Sequence, residues 1–447
     1  MKRRLISTIV LVFCILFFSS MVAQTTKWRD MYKVKKKDTL YGIANKYGIS
    51  LPDLMEANPD MKQEGYQLKK GIFVFIPYGS VNSAEGMNIT KGQMQSAVIH
   101  VGVMLPLHDN DGDGKRMTEY YRGILMACDQ LKQQGYAIDV KAWNVPAGAD
   151  IRNTLLEKGA SQCNMIFGPL YTSQVSSLAG FCQTYGIKMI IPFSIESTAV
   201  NDNSQIFQVY QPSYVFNASA VHAFITRFKS YHTVFIDCND PASAKGEYTT
   251  VLRKTLDNKG IGYSVTSLNS NDDQFAKSFD KVKPNIIVLN AASSPKLNMA
   301  FDKLNILKRK YPDMNISMMG YTEWLMYEKY DIDNFHKYDV YIPSNYYFNS
   351  SSPAFVALDS AYKAWFHTNM MDAIPRFAVT GYDHAEYFLR GYHSYGEKFV
   401  GSLAQSKYSA IQVPLHFARI PNGGLLNQNF QLIHYLPNGT GIESIAY

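Results

Sequence analysis

Apolar positions in the first eighty residues follow two periods. Leu40, Ile43, Ala44 and Tyr47 recur at i, i+3, i+4 and i+7 and predict an amphipathic helix. Asp38 and Thr39 stand just ahead of it, where a side-chain oxygen accepts from the free N–H groups of a helix start. Gly48 stops it, as a glycine beyond the last helical residue does. Ser50 opens a second helix, with Pro52 in its first turn and Asp53 three residues on, close to a capping box. Leu51, Leu54 and Met55 give that helix an apolar face, and Asn58-Pro59 ends it, because the residue before a proline is pushed out of the α region. Ile72 to Ile76 is rich in β-branched and aromatic residues and is predicted to pair as a strand with Met31 to Val34. Residues 31–78 therefore read strand, helix, helix, strand.

Residues 79–97 carry turn formers without apolar periodicity and read as a linker. From Val98 the pattern alternates buried-type strands with helices. Strands are expected at Val98–Leu105, Ala137–Trp143, Met165–Gly168 and Lys188–Pro192, with helices at Arg116–Gln133, Asp150–Gly159 and Thr172–Thr184. After a crossing near Phe207–Tyr210, strands near 233–237, 262–267, 285–290 and 315–319 continue the series. Such alternation predicts an α/β protein of parallel sheets covered on both faces. About 350 residues exceed one comfortable core, so residues 98–447 are expected to form two lobes. The tail from Ile411 to Tyr447 reads as strand, Gly-rich turn and strand, adding antiparallel strands to one lobe.

The amino terminus changes the setting. Met1-Lys-Arg-Arg precedes an apolar run from Leu5 to Phe18 and small residues up to Gln24. Residues 1–24 thus read as a signal peptide cleaved near Gln24, which implies a periplasmic or cell-wall location. Charge is uneven: residues 25–80 carry ten basic and six acidic residues, whereas 81–447 carry 31 of each. The basic excess draws the small segment toward anionic polymer, while nothing resembles a nucleic-acid footprint. Cys128, Cys163, Cys182 and Cys238 have irregular spacing that fits no metal motif, and no pairing follows from it.

Asp38-Thr39-Leu40, Ile43-Ala44, Tyr47-Gly48, Leu54, Asn58-Pro59, Gly71 and Ile76-Pro77 together resemble the LysM domain over residues 32–77. Lys37 departs from the family pattern, which has glycine there. The resemblance implies a βααβ module that binds N-acetylglucosamine polymers, in bacteria peptidoglycan. It places the sugar groove between Asp38, Thr39, Leu40, Tyr41 and Gly42 on one side and Asn58, Pro59, Asp60 and Met61 on the other. Short polar groups suit an N-acetyl group, and apolar side chains suit its methyl and ring face. Asp38 and Thr39 have a second reading as helix caps alone, and Leu40 as core.

Val98-Ile-His-Val-Gly-Val-Met-Leu-Pro-Leu107, Tyr121-Arg-Gly-Ile-Leu-Met-Ala127, Ile166-Phe-Gly-Pro-Leu-Tyr171 and Ile190-Ile-Pro-Phe-Ser194 resemble type 1 periplasmic binding proteins of the leucine/isoleucine/valine-receptor class. This implies two α/β lobes joined by three crossings, with a ligand cleft beyond the strands' carboxyl ends, as in open α/β sheets. The positions that would hold a ligand carboxylate are His108, Tyr171, Thr172, Ser173, Phe193 and Ser194. Of the family's amino-group clamp, two tyrosines are replaced by Ala244-Lys245-Gly246 and Ala291-Ala292, and Glu323 matches the acidic partner. Tyr341, Tyr346, Tyr347 and Phe348, near the expected third crossing, have two readings, as cleft lining or as hinge core.

Catalytic patterns are missing. There is no Gly-x-Ser-x-Gly, His-Glu-x-x-His or phosphate loop, and the ten histidines are scattered. Asp109-Asn-Asp-Gly-Asp-Gly114 resembles the start of a calcium loop, but position twelve is Tyr120 and the flanks read strand to helix. His384 is expected to pack between its own helix and the first lobe. The sequence thus points to a non-enzymatic wall-associated binding protein with no cofactor and no metal. Its small domain would grip peptidoglycan, and its two-lobed domain would recognise a small ligand or a wall-synthesis protein. The alternative is the receptor of an amino-acid or peptide transporter.

Overall fold

The computed structural model describes residues 28–36, 38–47, 49, 51–58, 61, 68–77, 98–193, 197–437, 439 and 441–447. The leader, the linker, Lys37, Gly48, Ser50, Pro59, Asp60 and Ser194 lie outside the described residues.

The amino-terminal unit comprises β1 (Trp28–Lys33), α1 (Leu40–Tyr47), α2 (Leu51–Ala57) and β2 (Phe73–Pro77). The two strands pair antiparallel with Met31 opposite Phe75. Pairing begins earlier than the apolar pattern predicts, and Val34 stays at its margin by donating to Ile72 O at 2.9 Å. Strand alternation turns Val74 and Ile76 inward, fully buried, against Ile43, Ala44 and Leu54 of the helices. Tyr32 and Tyr47 meet edge-on, with ring centroids 5.7 Å apart. The predicted stripe on α1 is thus the face that closes this small core.

The first lobe alternates β3 (Ile99–Leu105), α3 (Gly112–Gln133), β4 (Ile138–Asn144), α4 (Ile151–Leu155), β5 (Met165–Phe167), α5 (Thr172–Tyr185), β6 (Lys188–Ile191) and β7 (Ile206–Gln208). The chain then crosses to α6 (Ser213–Arg227), β8 (His232–Asp237), α7 (Gly246–Asn258), β9 (Tyr263–Ser267), α8 (Asp272–Lys277), β10 (Asn285–Leu289), α9 (Ser294–Lys310), β11 (Ile316–Met319), α10 (Glu328–Lys337) and β12 (Val340–Ser344). Through these stretches β3 to β7 and β8 to β12 pair in parallel. After α11 (Pro353–Phe366), α12 (Phe377–Tyr395) returns to pack on α3. The protein is thus mixed α/β, with two parallel-dominated sheets beside the small module.

The tail serves both lobes rather than one. β13 (Phe417–Arg419) and β14 (Leu425–Asn427) extend the first sheet, and β15 (Gln431–Tyr435) and β16 (Ile442–Ala446) extend the second. The sheet orders among the described residues are β13-β14-β7-β6-β5-β3-β4 and β16-β15-β12-β11-β10-β8-β9. β14 is parallel to β7, whereas β15 is antiparallel to β12. Three-residue strands such as β13 and β14 carry too little pattern to reveal which sheet they join.

Two features lock the return of the chain. α3 and α12 touch backbone to backbone: a Cβ on Gly123 would lie 1.9 Å from Ala378 O, and one on Gly381 would lie 1.9 Å from Tyr120 O. Beside them the buried Asp383 carboxylate accepts from Tyr408 OH at 2.7 Å and from the N–H groups of Ile411, Gln412 and Val413 at 2.8 Å each. Gln412 O in turn accepts from Tyr347 N at 2.9 Å, so this one carboxylate fixes the chain near the exit from β12. His384 is fully buried on the same helix, its Nδ1 2.9 Å from Tyr120 OH.

Candidate functional site

In the small module, most described candidates are engaged by the fold itself. Asp38 Oδ2 accepts from Lys35 N at 2.7 Å and Tyr32 OH at 2.8 Å, which holds its carboxyl below the ordinary range. Thr39 Oγ1 accepts from Gly42 N at 3.0 Å and caps α1. Asn58 is buried and acts as a strand neighbour: its Oδ1 accepts from Phe75 N at 2.8 Å, while its Nδ2 donates to Phe75 O and Leu54 O at 2.7 Å each. Met61 is buried in the module's core, and Leu40 packs at its edge. Tyr41 and Gly42 lie in the first turn of α1, with Gly42 exposed. Among the described residues, the polar side chains of Asp38, Thr39 and Asn58 thus shape the two loops. Pro59 and Asp60 lie outside the described residues.

In the first lobe, β3 delivers His108 to the start of α3. That helix begins four residues earlier than predicted because Asp111 caps it, accepting from Gly114 N at 2.7 Å. The acidic turn weighed as a calcium loop is therefore a helix cap, and Asp113 pairs with Arg116 while accepting from Tyr171 OH at 3.1 Å. Among the described residues no three His, Cys, Asp or Glu side chains are grouped to hold a metal. Burial, then Asp113, pushes the Tyr171 phenol up to about 12. His108 Nε2 lies 3.9 Å from Asp111 Oδ2 of the same turn. Thr172 and Ser173 are exposed in the first turn of α5. Phe193 is half-buried among Tyr120, Phe377 and Tyr210, with ring centroids 5.2, 5.8 and 6.2 Å away.

A cavity of about 530 Å³ opens instead at the carboxyl ends of the second lobe's strands, where α/β sheets collect ligands. The loop after β8 contributes Ala244 and Lys245, the start of α7 contributes Glu247 and Tyr248, and the segment after β11 contributes Tyr321, Thr322, Glu323 and Met326. Asn345 and Tyr346 follow β12, and the crossing into α6 supplies Tyr210, Gln211, Phe216 and Asn217. Of the described ligand-holding candidates His108, Tyr171, Thr172, Ser173, Phe193 and Glu323, only Glu323 lines this space. Its Oε1 lies 2.6 Å from Lys245 Nζ, which also sits 4.9 Å above the Tyr321 ring. Tyr321 donates to Leu289 O, and its ring meets that of Tyr248 edge-on at 5.9 Å. Burial raises the phenols of Tyr210, Tyr248, Tyr321 and Tyr346, so these walls stay neutral. Of the aromatic cluster near the third crossing, Tyr346 lines the cavity, while Tyr341 stacks at 3.9 Å on His434, its cross-strand neighbour on β15 within the second sheet.

Residues 32–69 match the LysM domain model. That segment is a LysM domain. The larger part of the chain is similar in structure to a putative branched-chain amino acid ABC transporter from Rhodospirillum rubrum, with TM-score 0.56 and 12% identity, over 78% of this chain and 100% of that one. It is also similar to a branched chain amino acid ABC transporter periplasmic ligand-binding protein from Burkholderia xenovorans LB400, with TM-score 0.48 and 11% identity, over 78% of this chain and 94% of that one. At 12% identity the likeness to the Rhodospirillum rubrum protein speaks to fold alone: the two lobes are similar in fold to that protein. No curated protein sequence is similar enough to the chain to count as a relative.

Gln211, Phe216, Asn217 and Tyr248 escaped the sequence reading. They are neither motif residues nor strand-end residues of the first lobe. The available signal was positional: Gln211 and Phe216 follow the predicted crossing near Phe207–Tyr210, and a residue between two lobes faces the space between them.

Proposed function

We propose that this protein is exported and wall-associated, with a LysM domain that grips an N-acetylglucosamine polymer and a non-catalytic two-lobed domain that binds a small ligand. The observation that carries the reading is the union of a LysM domain with a cavity-bearing binding-protein fold in one chain. The basic excess of residues 25–80 favours attachment to anionic wall polymer. Neutral, buried phenols and a paired Lys245–Glu323 suit recognition rather than bond cleavage. Sedimentation with insoluble peptidoglycan tests it, comparing the chain after the leader with one that begins at Ser96. The longer form should pellet and the shorter should stay soluble. Pelleting of both would refute the division of labour.

A second reading, a receptor for an amino-acid or peptide transporter, draws support from the fold and from a cavity at the strand ends. Lys245 weighs against it, because it already satisfies the Glu323 carboxylate that a ligand's ammonium would seek. Thermal-shift screening separates the two: leucine-like ligands should leave the melting temperature unchanged under the first reading and raise it under the second.

A further inference from the structure

One wall of the cavity in the second lobe carries opposite charges on anchored segments. Lys245 stands just ahead of α7, where its N–H donates to Ser243 Oγ at 3.2 Å, and Ser243 Oγ donates in turn to Asn290 O at 2.7 Å. Glu323 follows Thr322, whose hydroxyl donates to Pro343 O at 2.7 Å. Both charged residues line the cavity, and Lys245 Nζ donates to Glu323 Oε1 at 2.6 Å.

The pair sits among aromatic rings. Lys245 Nζ lies 4.9 Å from the centre of the Tyr321 ring, a cation–π contact. The Glu323 carboxylate is close enough to Tyr321 and Tyr346 to add to the burial that keeps both phenols neutral. The Lys245 and Glu323 side chains stay 26% and 43% exposed, within reach of a ligand. Glu247 also lines the cavity, but it is exposed in the first turn of α7, where water and salt screen it. The volume, about 530 Å³, falls in the range of small-molecule sites.

We infer that Lys245 and Glu323 set the charge selectivity of this cavity, each acting as a tethered counter-ion that fills the place of a ligand's charged head. A ligand ammonium has to displace Lys245 from both Glu323 and the Tyr321 face, and a ligand carboxylate has to displace Glu323 from Lys245. Either exchange leaves one charge of the protein without its partner in a partly desolvated wall. The tethered partner is already in place, whereas a free ion loses its translational freedom on binding. Removing one partner therefore reverses the selectivity: Glu323 alone takes a cation, and Lys245 alone takes an anion. This deepens the proposed function and rests on it only for the cavity being a small-ligand site.

Isothermal titration of the full chain after the leader tests the inference. The probes share one branched alkyl skeleton: isohexylamine, isocaproate and the uncharged isohexanol. The unaltered chain should favour neither charged probe over the alcohol. Lys245→Met should bind isohexylamine about tenfold or more tighter than the unaltered chain does, with no gain for isocaproate. Glu323→Gln should gain about tenfold or more for isocaproate, with none for isohexylamine. The double variant should gain for neither, and isohexanol should bind all four chains alike. The two single variants are independent, so if one does not melt cooperatively the other still decides. Binding of a charged probe to the unaltered chain as tight as to the matching variant overturns the inference. So do folded single variants without the gain, or a gain that persists in the double variant. Missing gains with isohexanol still bound strike the inference alone, whereas no binding of any probe to any chain strikes the small-ligand reading with it. Pelleting with insoluble peptidoglycan reads wall attachment separately.

Discussion

Single residues decide what each site is able to hold. Asn58 shows how a candidate ligand-binding group becomes a structural one: it replaces a missing strand partner for Phe75 on both its N–H and its C=O. Asn58→Ala should cost the module about 2–3 kcal/mol, since a buried donor and acceptor lose their partners together. Faster hydrogen exchange at the β2 amides, confined to the LysM domain, is the expected readout. His384 makes a pH prediction. Burial lowers it from 6.5 to about 3, so between these values the unfolded chain holds more protons than the folded one. Its contribution is complete above about pH 6.5 and is lost as pH falls toward 3. Asp383 runs the other way, since burial raises it to about 6 and folding then favours its protonated form as pH falls. His384→Leu should therefore reduce the stability lost between pH 7 and pH 5 by about 2 kcal/mol, whatever it costs at pH 7. Denaturant titrations of both proteins at the two pH values check this; parallel losses would show that His384 titrates in the fold.

Elements were legible where the pattern was long. The stripe Leu40, Ile43, Ala44, Tyr47 gave α1, and the apolar runs at Ile99–Leu105 and Asn285–Leu289 gave central strands that are buried along most of their length. α3 was recognised but started late in the sequence reading, because Asp111 looked like part of an acidic loop and its capping bond to Gly114 N depends on backbone geometry. The tail was misallocated to one lobe for a related reason: β14 finds β7 and β15 finds β12, partners more than 80 residues away that local pattern cannot name. The contact of α3 with α12 is the element-scale feature most sensitive to change. Gly381→Ala puts a methyl group against Tyr120 O, on backbone that has no rotamer to yield, and should cost about 3 kcal/mol or more. A lowered melting temperature of the two-lobed part, with peptidoglycan pelleting intact, is the expected result. The candidate cleft was only partly legible for the same cause: first-lobe residues His108, Tyr171 and Phe193 pack on local partners, and the open space forms where the second lobe meets the crossing.

At the scale of the whole molecule, a LysM domain and a cavity-bearing two-lobed part share one chain, and the proposed function turns on the smaller one anchoring the larger. The LysM domain has a compact core that includes Leu54, Val74 and Ile76, and among its described residues Asp38, Thr39 and Asn58 bond within the fold. Under the proposed function, attachment rests on recognition of an amino-sugar repeat rather than on bulk charge. That makes competition the most direct measurement. The chain after the leader is bound to insoluble peptidoglycan, and soluble N-acetylglucosamine oligomers are added, with salt alone as the control. The account predicts release by the oligomers and retention in salt. Retention in the presence of oligomers, with release by salt, would contradict it and reduce the attachment to non-specific charge.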